Sequence, residues 1–268
     1  MDSQMMSGTV RPVRWSTAQW CSYFRGNAKA LLDIPWAQGA GLTEEERDAV
    51  AASVQDFQLG ESSEGLNLLR AARAYAARAG DPAYEEAIRL FVREEQRHAG
   101  DLARFLTLAG VPLLSKSWTD AVFRFLRRLA GLEQFLTVLV TAEMIGKVYY
   151  QALRRATGSP VLRRLCDQLL RDEIKHIRFH TERLALMRRG RPRWRLFLTR
   201  LGHRVFFGGT CLVAWWAHRK ALRAGGYGFS RFWQETWEVF RASARPIDLR
   251  ELAPLSGPKP FLVPVGVT

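Results

Sequence analysis

Two short segments of the chain each place a glutamate three residues before a histidine. The first contains Glu95 and His98, within REEQRH, and the second contains Glu173 and His176, within RDEIKH. On an α-helix, residues three apart lie on one face, about one turn from each other. A carboxylate and an imidazole placed in this way can bind one metal ion together, and two such helices can hold a pair of ions between them. Because the chain has only five histidines, the repeated pattern indicates a dinuclear metal site.

An internal repeat relates the two segments. An offset of 78 residues places Glu95 on Glu173, and the same offset aligns the tripeptide GDP at 80–82 with GSP at 158–160 without a gap. Glycine commonly ends a helix, and proline is tolerated in the first turn of the next one. The repeat therefore predicts two helical hairpins in which the Glu-x-x-His pairs occupy equivalent positions.

A dinuclear site of this type also needs one glutamate from each of two further helices. In the second half of the repeat this is Glu143, which lies among apolar residues; a buried, unpaired carboxylate is costly, and a metal ion would remove that cost. In the first half both Glu61 and Glu64 qualify. The spacing to the following turn favours Glu64, which precedes Gly80 by 16 residues, while Glu143 precedes Gly158 by 15.

These motifs resemble those of the ferritin-like di-iron carboxylate superfamily. The segment GESSEG at 60–65 resembles the first-helix ligand motif of its rubrerythrins and aldehyde-deformylating oxygenases, and LFVREEQRHAGDLARFL at 90–106 resembles their second helix. The paired patterns EExRH and DExKH are also similar to those of membrane-bound di-iron oxidases. The resemblance covers roughly residues 45–188 and implies an O2-activating helical bundle.

The resemblance implies a set of metal ligands made of four glutamates and two histidines: Glu61, Glu95, His98, Glu143, Glu173 and His176. It favours Glu61 over Glu64, because the family's first ligand directly follows a glycine. It also implies two iron ions, with manganese or a mixed iron–manganese pair as the alternative, and dioxygen as co-substrate. Oxygen and nitrogen ligands in this number suit iron or manganese better than zinc. No organic cofactor and no catalytic residue beyond the ligands is predicted.

Four further residues lie close to the predicted ligands in the helical pattern. Glu94 and Asp172 each precede a ligand glutamate, and each is a candidate to accept a hydrogen bond from the opposite ligand histidine; the alternative is a pair of surface acids. His180 lies one turn beyond the second ligand histidine and is an extra ligand, a proton relay or an ordinary histidine. Tyr150 lies two turns beyond the upstream glutamate of its helix and is a redox-active phenol or part of a cavity wall.

The helical periodicity predicts an all-α protein with no strand. We expect an irregular lead-in at 1–42, a ferritin-like four-helix bundle at 43–188, basic tryptophan-rich helices at 189–245 and an extended tail at 246–268. The predicted helices cover residues 43–79, 82–109, 118–157 with a bend near Gly131, 160–188, 193–224 and 229–244. The first of them begins with a capping box formed by Thr43 and Glu46. Glycines at 65 and 146 follow the upstream glutamates and are expected to leave room beside the metals.

The net charge of +14 predicts attraction to an acidic partner. In 188–220 arginines alternate with aromatic and aliphatic residues, a pattern that suits an amphipathic helix on an anionic membrane surface. The alternatives are helices packed on the bundle, which would bury Trp215, Trp216, Trp233 and Trp237, and a nucleic-acid interface, which the sequence favours least. The most apolar run, at 205–217, is too short to span a bilayer as a helix.

The three cysteines are few and widely spaced, which indicates neither a disulfide framework nor a zinc site. The N-terminal segment lacks the apolar region of a signal peptide. We therefore expect a cytoplasmic protein, peripheral at the inner membrane face if the basic region binds lipid.

The sequence favours an O2-activating di-iron oxidase or oxygenase that acts on a small apolar substrate, such as an acyl chain, in the bundle core. The first alternative is a peroxide-reducing or ferroxidase protein, although the chain lacks the CxxC pairs of a rubrerythrin. The second is a non-enzymatic helical protein that binds membrane or RNA. The electron donor and the oligomeric state stay open.

Overall fold

The computed structural model describes residues 13–62, 65–116, 131–245 and 247–251. Within these ranges the chain is almost entirely helical, as the sequence predicts. The helices are α1 (Thr17–Asn27), α2 (Glu44–Glu61), α3 (Leu66–Ala79), α4 (Ala83–Leu108), α5 (Leu132–Arg155), α6 (Pro160–Met187), α7 (Arg193–Ala224) and α8 (Phe229–Ser243), with a short 3-10 turn at Trp36–Gln38.

Helices α2, α4, α5 and α6 form the bundle. Helix α5 packs along α6, α2 packs along α4, and α4 contacts α6. Helix α7 lies across α2 and α5, and α8 packs on α5 and α7. The buried side chains form one apolar core that extends through these helices. The four-helix bundle with added C-terminal helices is therefore confirmed.

Local signals set most of the helix boundaries. Thr43 caps α2 and forms the expected capping box with Glu46. Gly80 ends α3 in the left-handed conformation, and Ser159 caps α6, which has Pro160 in its first turn. The predicted bounds of α4, α6, α7 and α8 agree with the structure to within one residue at each end. Residues 118–130 of the predicted 118–157 helix lie outside the described residues, and α5 begins after Gly131.

Three fold predictions are wrong in part. The helix expected over 43–79 ends at Glu61 and resumes at Leu66. The lead-in at 1–42 is not irregular throughout, since it contains α1. Two short strands also form where none was expected: β1 (Val13–Arg14) pairs in parallel with β2 (Asp248–Glu251). The strand β2 agrees with an extended start to the tail, and residues 252–268 lie outside the described residues.

The break after α2 has a tertiary cause. Gly65 has a φ of +67°, a conformation that side chains other than glycine rarely adopt. A Cβ atom at this position would lie 2.7 Å from Cγ2 of Val92 on α4, too close for two carbon atoms. Gly65 is thus required by its backbone and by close packing on α4, because a Cβ atom would overlap Val92. Gly65 also lines the cavity that borders Glu61 and Glu95, which agrees with the expectation that it leaves room beside the predicted ligands.

Candidate metal centre

Four bundle helices bring the predicted ligands to one region. Glu61 is the last residue of α2, Glu95 and His98 lie on α4, and Glu173 and His176 lie on α6. Potential ligand atoms of Glu95, His98 and His176 all lie within 4.8 Å of one another, and so do those of Glu61, His98 and Glu173. The two groups share His98. Five of the six predicted ligands therefore form one continuous cluster.

Glu143 of α5 is the sixth predicted ligand and lies outside both three-residue groups. It lines the same cavity as Glu61, Glu95 and Glu173. Its Oε1 atom is 3.2 Å from Nε2 of His180, but the two groups are not aligned for a hydrogen bond. The structure thus places Glu143 beside the cluster, and it places His180 in contact with Glu143.

Several buried atoms of the predicted ligands lack hydrogen-bond partners. Within the described part of the chain these buried atoms include Oε1 of Glu95, Nδ1 of His98, both carboxylate oxygens of Glu143, Oε2 of Glu173 and Nδ1 of His176. Oε1 of Glu95 and Nδ1 of His176 are 3.0 Å apart without hydrogen-bond alignment. Buried polar atoms are normally paired, and each exception needs an explanation such as an ion. The donor set and its unpaired atoms fit a metal centre.

The other ring nitrogen of each histidine is held by a carboxylate of the opposite helix. Nε2 of His176 lies 2.8 Å from Oε2 of Glu94, and Nε2 of His98 lies 3.1 Å from Oδ2 of Asp172. These are the crossed contacts that the repeat predicts. They leave Nδ1 of each ring directed toward the cluster, as expected when a metal-binding histidine donates its other N–H to an acceptor.

Asn27 joins the two supporting carboxylates and was missed by the sequence analysis. Its side-chain amide, at the end of α1, donates hydrogen bonds to Glu94 and, at 2.8 Å, to Oδ1 of Asp172. Its carbonyl oxygen accepts a hydrogen bond of 3.0 Å from Arg171. The sequence does contain a signal for the helix that carries Asn27, since Ser16 and Gln19 form a capping box that starts α1. The lead-in is therefore part of the support of the site.

Asp172 has a full set of partners. Arg97 donates to its Oδ2 atom at 2.6 Å, and Gln168 donates to both oxygens at 3.0 and 2.8 Å. Burial alone would raise the pKa of Asp172, but the hydrogen bond from His98 and the nearby Arg97 charge hold that pKa well below its usual range. Asp172 is therefore a stable anion that fixes the orientation of His98.

The ligand carboxylates have the opposite electrostatic character. Burial raises the pKa of Glu61 well above its usual range, and the neighbouring Glu95 carboxylate raises it further. Burial also raises the pKa of Glu173, although the nearby His176 opposes this effect. Like charges crowded into an apolar interior favour the neutral acids. A cation among them would reverse that preference.

Tyr150 lies at the edge of the cluster. Its hydroxyl donates a hydrogen bond of 3.1 Å to Oε1 of Glu61. The ring is fully buried and packs beside Phe57. Its position fits an orienting group for Glu61, whereas the cavity beside the ligands is lined by other residues; a redox role stays a prediction.

An apolar cavity of about 170 Å³ borders the ligands. Its walls come from α2, α4, α5 and α7 and include Phe57, Phe91, Phe135, Leu139 and Ile145. Gly146 lines the cavity, and a Cβ atom added there would make only ordinary contacts at 3.8 Å. The space expected beside Gly146 is therefore present. The cavity could hold a small apolar molecule next to the carboxylates.

The choice between Glu61 and Glu64 can be tested directly. Glu64 lies outside the described residues, whereas an oxygen of Glu61 belongs to the cluster. We expect Glu61→Ala to remove at least one metal ion from protein loaded to saturation, and Glu64→Ala to leave the metal content unchanged. Elemental analysis of both variants measures this, and the reverse ranking would show that the spacing within the repeat was the better guide.

The fold defined by this geometry is the ferritin-like helical bundle. No protein-family model and no curated protein sequence matches the chain, but solved structures of an R2-like ligand-binding oxidase do. A variant of that oxidase with an aerobically reconstituted Mn/Fe cofactor aligns with a TM-score of 0.61 at 16% identity, over 86% of this chain and 93% of that chain. A second variant with such a cofactor gives 0.59 at 17% identity with the same coverage. A third, with an anaerobically reconstituted Mn/Fe cofactor, gives 0.60 at 17% identity over 87% of this chain and 93% of that chain.

Proposed function

We propose that this chain is an O2-activating oxidase or oxygenase that uses a dinuclear centre of iron, or of manganese and iron, at the cluster. One observation carries the proposal. Three helices of the described chain, α4, α5 and α6, supply buried carboxylate and imidazole atoms that lack hydrogen-bond partners, and Glu61 at the end of α2 lies within ligand distance of two of these residues. When bound, the two metal ions would supply the electrons with which dioxygen is reduced. Structural likeness to oxidases with Mn/Fe cofactors supports the same assignment.

The charges of the ligands are matched to two divalent ions. Glu61, Glu95, Glu143 and Glu173 carry four negative charges when ionised, and the two imidazoles bind metal in neutral form. Two divalent cations would balance these charges, which makes burial of the loaded site tolerable. In contrast, a non-enzymatic bundle would have no reason to keep several unpaired acids in its interior.

The supporting residues have defined tasks in this account. Glu94 and Asp172 accept hydrogen bonds from the Nε2–H groups of His176 and His98. They so fix the ring tautomers that leave Nδ1 free to bind metal. Tyr150 holds Glu61 by a hydrogen bond and can supply a proton at the edge of the site. The apolar walls exclude water from the centre.

The substrate is proposed to be a small apolar molecule, such as part of an acyl chain. The cavity that borders Glu61, Glu95, Glu143 and Glu173 is lined otherwise almost wholly by apolar side chains and glycines, with Asp56, Thr210 and His218 at other parts of the wall. A molecule with an extended apolar portion would bury that portion against the aromatic and aliphatic walls. Its reacting carbon would then lie next to the metal ligands.

Reaction with dioxygen tests the proposal. Protein loaded anaerobically with ferrous iron should consume dioxygen within seconds, as followed with an oxygen electrode and by stopped-flow absorption. Gly146→Leu should slow this reaction roughly tenfold to a hundredfold, because the new side chain displaces reactants from the cavity. Its metal content should be unchanged.

Gly100→Leu is the matched control. Gly100 lies on α4 with open space around its Cβ position, so the same substitution there should not alter the rate. If protein that holds two ferrous ions is inert to dioxygen, the oxidase assignment fails. If it then reacts rapidly with hydrogen peroxide, the peroxide-reducing alternative becomes the better account.

A further inference from the structure

One face of α7 carries a continuous line of exposed apolar side chains. This α7 stripe consists of Trp194, Leu198, Leu201, Val205, Leu212 and Trp216. The intervals of three, four and seven residues place all six on one side of a helix. Val205 is 70% exposed and Trp216 is 61% exposed. The alternative in which α7 only packs on the bundle predicts a buried Trp216, and the structure differs from it at this residue. The stripe extends over 23 residues, from Trp194 to Trp216, which is about 33 Å at 1.5 Å rise per residue.

The opposite face of α7 accounts for its packing. Phe207, Thr210, Cys211 and His218 are buried on the side that meets α2 and α5. The exposed side chains of the α7 stripe therefore lie away from the side of the helix that is buried. Monomeric proteins rarely expose an apolar surface of this length without a partner for it.

The charges beside the stripe are all positive. Helix α7 contains arginines and one lysine but no Asp or Glu in its 32 residues. At about 100° per residue, Arg193 and Arg195 lie to either side of Trp194, and Arg200 and Arg204 continue one flank. An apolar line bordered by cations matches a helix that lies in the interface of an anionic bilayer, with apolar side chains below the headgroups.

The cavity of the candidate metal centre reaches this same region. Val213 lines the cavity and is 37% exposed, next to Leu212 of the stripe. Ala214, one residue further, also lines the cavity. Consecutive residues of α7 therefore contribute to the stripe and to the wall of the cavity.

We propose that the α7 stripe docks this protein on the anionic surface of a lipid bilayer. A second copy of the chain is a poorer occupant, because a symmetric contact would bring two rows of arginines together. RNA is also a poorer one, because the middle of the stripe is aliphatic and offers few rings for base stacking. No helix in the described ranges is both long and apolar enough to cross a membrane. Docking on the surface of a bilayer does not require a membrane-spanning helix. Entry of an apolar substrate from the lipid near Val213 would follow from docking together with the proposed function, but docking itself does not rest on that function.

Vesicle binding by the full chain tests the proposal. We expect co-sedimentation with vesicles of phosphatidylcholine mixed with phosphatidylglycerol and much weaker binding to phosphatidylcholine alone. Arg193→Glu combined with Arg195→Glu should weaken the binding at least about tenfold, since each basic residue near an anionic surface favours binding severalfold. Leu198→Gln combined with Val205→Gln should also weaken it while leaving the net charge unchanged.

The control is Arg70→Glu combined with Arg78→Glu, two exposed arginines on α3. This variant changes the net charge as much as the α7 double reversal does, so retained binding would show that the α7 site matters and not total charge. Circular dichroism confirms folding of each variant. Equal binding of wild-type protein to both vesicle types, or to neither, would overturn the proposal. The proposal would also be overturned if the wild-type protein were a dimer and the Leu198→Gln, Val205→Gln variant were a monomer. It would likewise be overturned if the protein bound a single-stranded RNA oligonucleotide and did not bind vesicles.

Discussion

Replacement of Glu143 by leucine should remove at least one metal ion from each chain and, at the same time, stabilise the metal-free protein. Both carboxylate oxygens of Glu143 are buried without a hydrogen-bond partner. An unsatisfied buried polar group costs about 1–3 kcal/mol, so its removal should raise the free energy of unfolding by a similar amount. A residue that lowers stability unless metal is bound is expected at a ligand position. Elemental analysis and urea denaturation at neutral pH measure the two effects.

Glu133→Leu on the same helix is the matched control. Glu133 accepts hydrogen bonds from Arg188 at 2.9 Å and from Arg191 at 3.0 Å. Its replacement should therefore lower the stability of the metal-free protein and leave the metal content unchanged. If Glu143→Leu retains two ions, or if it destabilises the metal-free protein as Glu133→Leu does, then Glu143 is a structural acid and not a ligand.

Replacement of Asp172 by alanine should have the opposite effect on stability. Asp172 is fully buried and accepts hydrogen bonds from Asn27, Arg97 and Gln168, and its contact with His98 completes the set. Removal of one partner of a buried ion pair costs about 3–5 kcal/mol, because the remaining charge is left uncompensated. We expect that loss in urea denaturation of the metal-free protein. Metal affinity should also fall, by roughly tenfold to a hundredfold, because His98 loses its orienting partner.

Asp101→Ala is the control, because it removes a different carboxylate that also contacts Arg97. Asp101 contacts the same arginine at 3.7 Å but is half-buried, and such pairs contribute up to about 1 kcal/mol. The pH dependence has a defined sign. Because the pKa of Asp172 is lowered in the folded protein, the stability it contributes is present at neutral pH and is lost as the pH falls below about 4. If Asp172→Ala and Asp101→Ala have equal effects, Asp172 does not have the supporting role described here.

The elements that carry the Glu-x-x-His pairs could be predicted because their signals are local. Helical spacing places Glu95 with His98 and Glu173 with His176, and the repeat places the two pairs opposite each other. The turns at 80–82 and 158–160 then determine where the helices end. Each of these steps depends on residues within one or two turns, so sequence pattern is sufficient.

The parts that were missed depend on contacts between residues far apart in the chain. Asn27 contacts Glu94 and Asp172, which are 67 and 145 residues away, and no local pattern reports such a contact. The break after Glu61 likewise depends on Gly65 packing against Val92 of another helix. Periodicity continues through the break and so predicted one helix where the structure has two.

The exposure of α7 could be predicted only in part. The alternation of arginines with apolar residues indicated an amphipathic helix, but the apolar side could equally have faced the bundle. Trp215, Trp233 and Trp237 are indeed half-buried and pack toward the bundle, whereas Trp216 points outward. Which apolar face is covered depends on how α7 meets α2 and α5, and that is a property of the assembled fold.

Metal content is the most direct test of the central claim. Wild-type protein produced with iron and manganese in the medium, purified without chelators and assayed by elemental analysis, should contain close to two transition-metal ions per chain. A variant that combines Glu143→Leu with His176→Ala should contain almost none, while circular dichroism shows the same helical fold. Fresh wild-type protein that contains no iron or manganese, and that binds neither when it is supplied anaerobically, would contradict the dinuclear centre and with it the proposed oxidase.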